Sequence, residues 1–284
     1  MRASNGFEAG IREWLADASR QGHPLVSFWI KEHLGRVAYA RTYHLPLIQE
    51  SLAVGGARVL DLGCGTAGTG VAFALAGAST VGLDHSPRML RLASMRAGDE
   101  GVSLALVEGD VRALPFRSGA FDVCICDQVI EHVQGYPCLV AEAFRILRPG
   151  GLLLLSAPHR LAIREGHTGL LFASWLPHTW AERYATLRGR RMPGEPWDVW
   201  LELPWTVRRR LREAGFQEVR SPWKQPRRPP TEGGPVRRTL AKIRPLVSLV
   251  RWGFRWRQLV LSTLMFVLVK PSTESTPNEA RRGE

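Results

Sequence analysis

Short apolar runs alternate with longer stretches of mixed polarity between residues 59 and 157. The runs 59–61, 79–83, 104–107, 121–126 and 152–157 have the length and apolar character of buried strands. Between them, 69–76, 87–96 and 137–147 are helix-compatible, with Ser86 as an N-cap and Pro87 as the first helical residue. Arg148-Pro149-Gly150-Gly151 predicts a turn into the last of these strands. Strand alternating with helix predicts an α/β fold built on a parallel sheet. Further on, 206–214 predicts a helix closed by Gly215, and 216–220 with 264–269 predict a terminal strand pair. Residues 7–52 predict two or three helices carrying Trp14, Phe28, Trp29, His33, Tyr39, Tyr43 and His44, which either cover a cofactor and substrate or pack the helices onto the sheet.

The 284-residue chain is long enough for one full α/β core with appendages. Its charge of +12 sits in one half: residues 1–150 carry 14 basic and 15 acidic side chains, and 151–284 carry 24 and 11. From 220 to 258 there are eleven basic residues and one acid, Glu232. On a helix over 246–258, Leu246, Val247, Leu249, Val250, Trp252, Phe254 and Trp256 share one side, opposite Ser248, Arg251, Arg255 and Gln258. That is the pattern of an interfacial helix on anionic lipid, or of a helix packed on the domain with a solvated basic face. The apolar run 259–269 is too short to span a bilayer. Cys64, Cys124, Cys126 and Cys138 suit buried thiols in a reducing compartment better than a disulfide framework or a zinc site. With no apolar run at the N-terminus, a cytoplasmic location is expected, peripheral at the inner face of the membrane if 222–258 meets lipid.

The chemistry begins at Val59-Leu60-Asp61-Leu62-Gly63-Cys64-Gly65, a strand, a tight turn and then a helix. Glycines there let the backbone bend sharply and a ligand approach the helix N-terminus. Gly63, Gly65 and Gly68 satisfy the spacing of dinucleotide-binding folds, and Asp84 lies where a ribose-binding acid belongs, so an NAD-dependent oxidoreductase is one reading. Asp61 before the first glycine and the pair Asp110-Val111, an acceptor beside a backbone donor, favour a different nucleoside cofactor.

Five features, DLGCG, Asp84, Gly109-Asp110, FDVCICDQVIEHV and LRPGG, together resemble the class I S-adenosylmethionine (SAM)-dependent methyltransferases, in particular the methyltransferase type 11 and ubiquinone-biosynthesis-like enzymes. The resemblance covers 59–158 and implies a Rossmann-like, seven-stranded, mostly parallel sheet of order 3-2-1-4-5-7-6 with helices on both faces. Ala67 departs from the third glycine of many members. The implied organisation is a helical cap over 1–52, a SAM-binding core over 53–158, a substrate-side insertion over 159–203, a core helix and sixth strand over 204–221, a basic amphipathic insertion over 222–258, the last strand over 259–271 and a disordered tail over 272–284. The implied cofactor residues are Asp61, Gly63, Cys64, Gly65, Asp84, His85, Met89, Asp110, Val111 and Asp127.

For an acceptor hydroxyl, the base would be His132; Gln128, His159, Glu165 and His167 are candidates for substrate contact. The last three lie in a polar loop and are expected to face solvent, or else to form an alternative metal cluster. Some similar quinone O-methyltransferases hold a divalent metal in an E-x-x-E-H cluster; Gln128 replaces its first acid here, so no metal is expected. Amino-group methylation of nucleic acid bases uses an N/D-P-P-Y/F loop where this chain has Asp127-Gln128-Val129-Ile130, which argues against nucleic acid. The expected function is methyl transfer from SAM to a small-molecule or lipid-linked acceptor, through a hydroxyl oxygen. The alternatives are C-methylation of a quinone or other natural-product ring, the oxidoreductase, and a non-catalytic membrane scaffold.

Overall fold

In the computed structural model, which describes residues 6–20, 22–191, 197–220 and 263–272, the apolar runs become strands of one seven-stranded sheet. The chain opens with α1 (Gly6–Trp14), α2 (Ala16–Arg20), α3 (Val26–Tyr39) and α4 (Leu45–Gln49), the last two joined by a π-helical turn, Ala40–His44. Then come β1 (Arg58–Leu62), α5 (Gly68–Leu75), β2 (Ser79–Asp84), α6 (Pro87–Asp99), β3 (Ala105–Glu108), β4 (Phe121–Asp127), α7 (Pro137–Ile146) and β5 (Leu147–Ala157). After these follow α8 (His178–Leu187), α9 (Pro204–Glu213), β6 (Gln217–Arg220) and β7 (Leu264–Val269). The strand order β3-β2-β1-β4-β5-β7-β6 is the expected one. β1 to β5 run parallel, and β7 is antiparallel to both β5 and β6.

Alternation along each central strand splits the core between the two faces of the sheet. Leu60, Leu62, Cys124, Cys126, Leu153 and Leu155 pack with Leu139 and Val140 of α7 and Leu211 of α9. Their neighbours Val59, Val123, Ile125, Leu152 and Leu154 meet Leu47, Ile48 and Phe73 on the opposite side. Each such leucine contributes about 2 kcal/mol of burial, so both faces are closed by helices and only the strand ends remain for chemistry.

The N-terminal helices are fastened to this core by specific bonds. Asp99 accepts the first free N–H groups of α1, from Gly6 at 3.2 Å and Phe7 at 2.8 Å, a carboxylate against a helix N-terminus. The Arg96 guanidinium, 3.8 Å from the centre of the Phe7 ring, donates to the His33 carbonyl at 2.6 Å and to Thr66 Oγ1 at 3.0 Å.

Several expectations change. The stretch 148–151 is the start of β5 rather than a separate turn, with Gly150 at φ 73° absorbing an irregularity in the pairing. The cap holds four α-helices and a π turn rather than two or three helices, because the chain breaks at 15 and again before Val26. The helix expected at 206 begins at Pro204, which suits a first helical turn. Cys124 and Cys126 are buried thiols, but Cys64 is half-buried and Cys138 is exposed on α7. No helix among the described residues is long and apolar enough to cross a membrane. The expected helix over 246–258, with the rest of 222–258, and the tail beyond 272 lie outside the described residues.

Candidate active site

Parallel pairing brings the carboxyl ends of β1, β2 and β4 to one edge, and each ends at or near an aspartate. This is where an open parallel sheet binds ligands. Between β1 and α5 the backbone turns through Gly63 at φ 67° and Gly65 at φ 51°, conformations that favour glycine. A Cβ at Gly63 would lie 2.7 Å from the Val129 methyls, whereas one at Gly65 would meet nothing within 4 Å. The loop thus packs tightly behind and faces open space in front. Ala67 takes the left-handed φ of 53° itself, at a cost of about 1 kcal/mol.

Asp84 is buried beneath this loop and accepts Gly65 N–H at 2.8 Å and Ser86 N–H at 2.9 Å. Asp61 accepts Gly70 N–H at 2.7 Å, and a Cβ at Gly70 would sit 2.9 Å from that oxygen. Burial pushes the Asp61 carboxyl up to about 7, against the pull of the Gly70 bond. Burial alone would raise Asp127 too, but Arg36, 3.0 Å away, and then His44 and the bonds from Ser156 and Thr69 hold it below the usual carboxylate range. Asp110 differs: its carboxylate is outside the fold, chelated by the Arg112 side chain at 2.7–3.0 Å and held down to about 2 by those bonds. The implied acceptor for an adenine amino group is therefore engaged by a neighbouring arginine.

A cavity of about 690 Å³ lies above the loop. It is lined by nine of the sequence candidates, Gly63, Gly65, Asp84, His85, Met89, Asp110, Val111, Gln128 and His132, and also by Trp14, Val129 and Asp198. A smaller recess of about 200 Å³ shares Gly63, Gly65 and Gln128 and reaches Asp61, Cys64, Asp127, Glu32 and Arg36. Gln128 has φ 60°, with its N–H on the Ser156 carbonyl at 2.9 Å. An open glycine loop, a fixed acid at the adjoining strand end and apolar walls from Met89 and Val111 fit a nucleoside cofactor with a charged tail.

The far wall is built by the turn after β4, with Asp198 from the segment after β5. His132 ends a 3-10 turn, Ile130–His132, and its Nδ1 lies 3.1 Å from Asp198 Oδ1. Its ring meets that of His167 edge to face at 5.0 Å. His167 Nδ1 is 2.8 Å from Glu165, whose carboxylate also accepts N–H from His167 and Thr168 and the Thr168 hydroxyl. Burial would raise Glu165, but the His167 bond and charge and the Thr168 bonds outweigh it and hold the carboxyl at about 2. The same pairing raises His167 despite its burial. The expectation of a solvent-facing polar loop is corrected here: His159 and Glu165 are buried, because the loop closes around the Glu165 carboxylate. His159, whose Nδ1 accepts Leu161 N–H, lines neither cavity, nor do Glu165 and His167. Glu131 is also buried, and neither of its carboxylate oxygens has a hydrogen-bond partner among the described residues; burial pushes it up to about 7. Ligand-type atoms of Glu131, His132 and His167 lie within 4.8 Å of one another.

Two contributors, Arg36 and Asp198, had no sequence signal. Arg36 is one cation on a mixed-polarity helix, and Asp198 follows no motif; only folding joins Arg36 to Asp127, 91 residues later, and Asp198 to His132, 66 residues earlier.

Residues 60–155 match a family model described as a methyltransferase domain. The chain is 35% identical over 119 residues to a ubiquinone biosynthesis O-methyltransferase from Ralstonia nicotianae, covering 42% of this chain and 50% of that protein. It is 33% identical over 141 residues to the enzyme of the same name from Psychrobacter arcticus, covering 49% and 54%. The chain thus spans about half the length of the curated relatives it matches. Among solved structures, a SAM-dependent methyltransferase from Mesorhizobium loti aligns with a TM-score of 0.52 at 21% identity, over 79% of this chain and 96% of that one, a likeness of fold. With the glycine loop, the strand-end acids and the sheet order in place, the segment 60–155 belongs to the class I SAM-dependent methyltransferase family.

Proposed function

We propose that this protein transfers a methyl group from SAM to a hydroxyl oxygen of a small-molecule or lipid-linked acceptor, with His132 taking the hydroxyl proton. The observation that carries the reading is that His132 and Asp84 line one cavity, with Asp198 3.1 Å from His132 Nδ1. When bound, SAM supplies an electrophilic methyl carbon and a neutral thioether leaving group. The 63–65 loop, Asp84 and the walls at Met89 and Val111 would hold its nucleoside, and the recess at Asp61 and Arg36 its charged tail.

In-line transfer to oxygen needs a positioned hydroxyl and a place for its proton. With Nδ1 facing Asp198, the nitrogen of His132 open to a hydroxyl is Nε2, and an imidazolium formed there is stabilised by the adjacent carboxylate. Asp198 is thus a positioning residue, and Gln128, with its backbone fixed to Ser156, flanks the acceptor space. The membrane-surface part of the reading rests on the basic segment 222–258. Its flanks join the sheet at the site's own edge, since β7 begins opposite Ala157.

The test is methyl transfer from radiolabelled SAM to a panel of hydroxylated acceptors, run with Asp198→Asn and His132→Ala. The expected result is product from the parent, at least about a tenfold fall in kcat for Asp198→Asn, and a larger fall for His132→Ala. Affinity for S-adenosylhomocysteine should hold in both. Full activity of His132→Ala, or methylation at carbon, would overturn the proton-transfer role.

A further inference from the structure

The chemistry of methyl transfer leaves one buried imidazole unused. His44 is wholly inside the fold, and among the described residues neither of its ring nitrogens has a hydrogen-bond partner. Its Nδ1 lies 3.8 Å from Asp127 Oδ2, too far for a hydrogen bond and close enough for an ion pair once the ring is protonated. Tyr39 meets the ring edge to face at 5.2 Å. An unbonded imidazole is costlier to bury than an apolar side chain of its size, so packing alone does not account for it.

The backbone is bent to bring His44 there. Arg36 and His44 are eight residues apart, which on an unbroken α-helix leaves them about 80° apart around the axis. The wider turn over Ala40–His44 takes back most of that angle, and such π turns recur at functional sites. Both side chains therefore reach the same oxygen: Arg36 Nη2 stands 3.0 Å from Asp127 Oδ2, beside the His44 ring and the Thr69 hydroxyl. Ser156 holds the other oxygen.

Asp127 and Arg36 also line the small recess, together with the acids Glu32 and Asp61. Arg36 is the one standing cation among the lining residues, since burial and the charges of Arg96 and Arg36 hold His33 at about 4. A carboxylate entering the recess has Arg36 to meet it. The guanidinium has five N–H donors, so Nη2 stays on Asp127 while others turn to the newcomer. Two carboxylates on one guanidinium then leave an uncompensated negative charge in a buried place.

We infer that His44 is a positioning residue for the cofactor's amino-acid tail: when the tail carboxylate joins Asp127 on Arg36, His44 takes up a proton and becomes the second cation that keeps Asp127 charged and in place. This rests on the placing of the charged tail in the recess proposed above. In the unliganded protein burial, with help from Arg36, keeps the imidazole below the ordinary histidine range against the pull of Asp127. The groups facing it are Asp127 from β4 and Arg36 and Tyr39 from α3, with Glu32 and Asp61 acting on Arg36. The helices packed on the turn, α4 and α5, bring no titratable side chain.

The experiment is calorimetric titration near pH 7 in two buffers of different ionisation enthalpy, which counts the protons exchanged on binding. The ligands are S-adenosylhomocysteine and methylthioadenosine, the same nucleoside without the amino-acid tail, and the proteins are the parent and His44→Gln. With S-adenosylhomocysteine the variant is expected to take up about half a proton fewer than the parent. With methylthioadenosine the two should agree in proton count and in affinity, which a merely structural role would not leave unchanged. Asp61, near 7, releases a proton to a tail ammonium, opposite in sign and common to both proteins. Equal proton counts with S-adenosylhomocysteine overturn the inference. A variant that no longer binds methylthioadenosine moves the test to the parent alone, where uptake must be greater with the tail than without it; equal uptake overturns the inference there. A parent that binds S-adenosylhomocysteine no more tightly than methylthioadenosine overturns the placing of the tail in the recess, and the inference with it.

Discussion

The two walls of the cleft are built differently. On the cofactor side, polar groups find partners close by in the parallel-strand frame: Asp84 takes N–H groups of Gly65 and Ser86, and Asp61 that of Gly70. On the acceptor side, partners come from afar: Asp198 reaches His132 and Trp200 reaches the Glu131 carbonyl, while the Glu131 carboxylate has no hydrogen-bond partner among the described residues. One wall is a preformed cradle fixed by local geometry. The other is assembled from the turn after β4 and from Asp198 of the long segment after β5.

The largest expected effect cuts the link between the cap and the cradle. Arg36→Met leaves the buried Asp127 without its main counter-charge and should cost about 3 kcal/mol in urea unfolding. Next, Asp84→Ala orphans two loop N–H groups and should weaken S-adenosylhomocysteine binding about a hundredfold by calorimetry.

Outside the cavity lining, beside His132, lie two buried glutamates of opposite pH behaviour. Glu165 is held at about 2 when folded, below its ordinary value, so its stabilisation is complete above about pH 4.5 and is lost as pH falls toward 2. His167 is raised, so its share is present below its ordinary value and fades as pH rises through its folded one. Glu165→Gln should therefore cost about 2 kcal/mol at pH 6 and little near pH 2.5 in urea titrations. Glu131, raised to about 7, keeps an extra proton when folded, so stability declines as pH rises from about 4.5 through 7. Glu131→Gln should remove that decline, moving the difference from the parent in the variant's favour by about 2 kcal/mol between pH 5 and 8.

The smallest expected effect separates two acids that sequence alone treats alike. Asp110→Ala, whose carboxylate is exposed and held by Arg112, should change nucleoside affinity less than about threefold, against about a hundredfold for Asp84→Ala. A large loss at Asp110 would mean that its arginine pairing yields to the ligand.

The sequence by itself determined the sheet. Apolar runs ending in Asp61, Asp84 and Asp127 around a glycine turn predict a parallel sheet buried on both faces, and the strand order is the one that the family resemblance implies. It also marked Gly63, Gly65 and Asp84, because those features depend on backbone conformation within a few residues. Only the tertiary structure decided that Asp110 turns to Arg112, that Glu165 is the buried centre of its loop, and that Arg36 and Asp198 belong to the cleft at all. Such pairings join groups dozens of residues apart or choose between competing local partners. Their outcome depends on distances and burial that exist only once the chain has closed on itself.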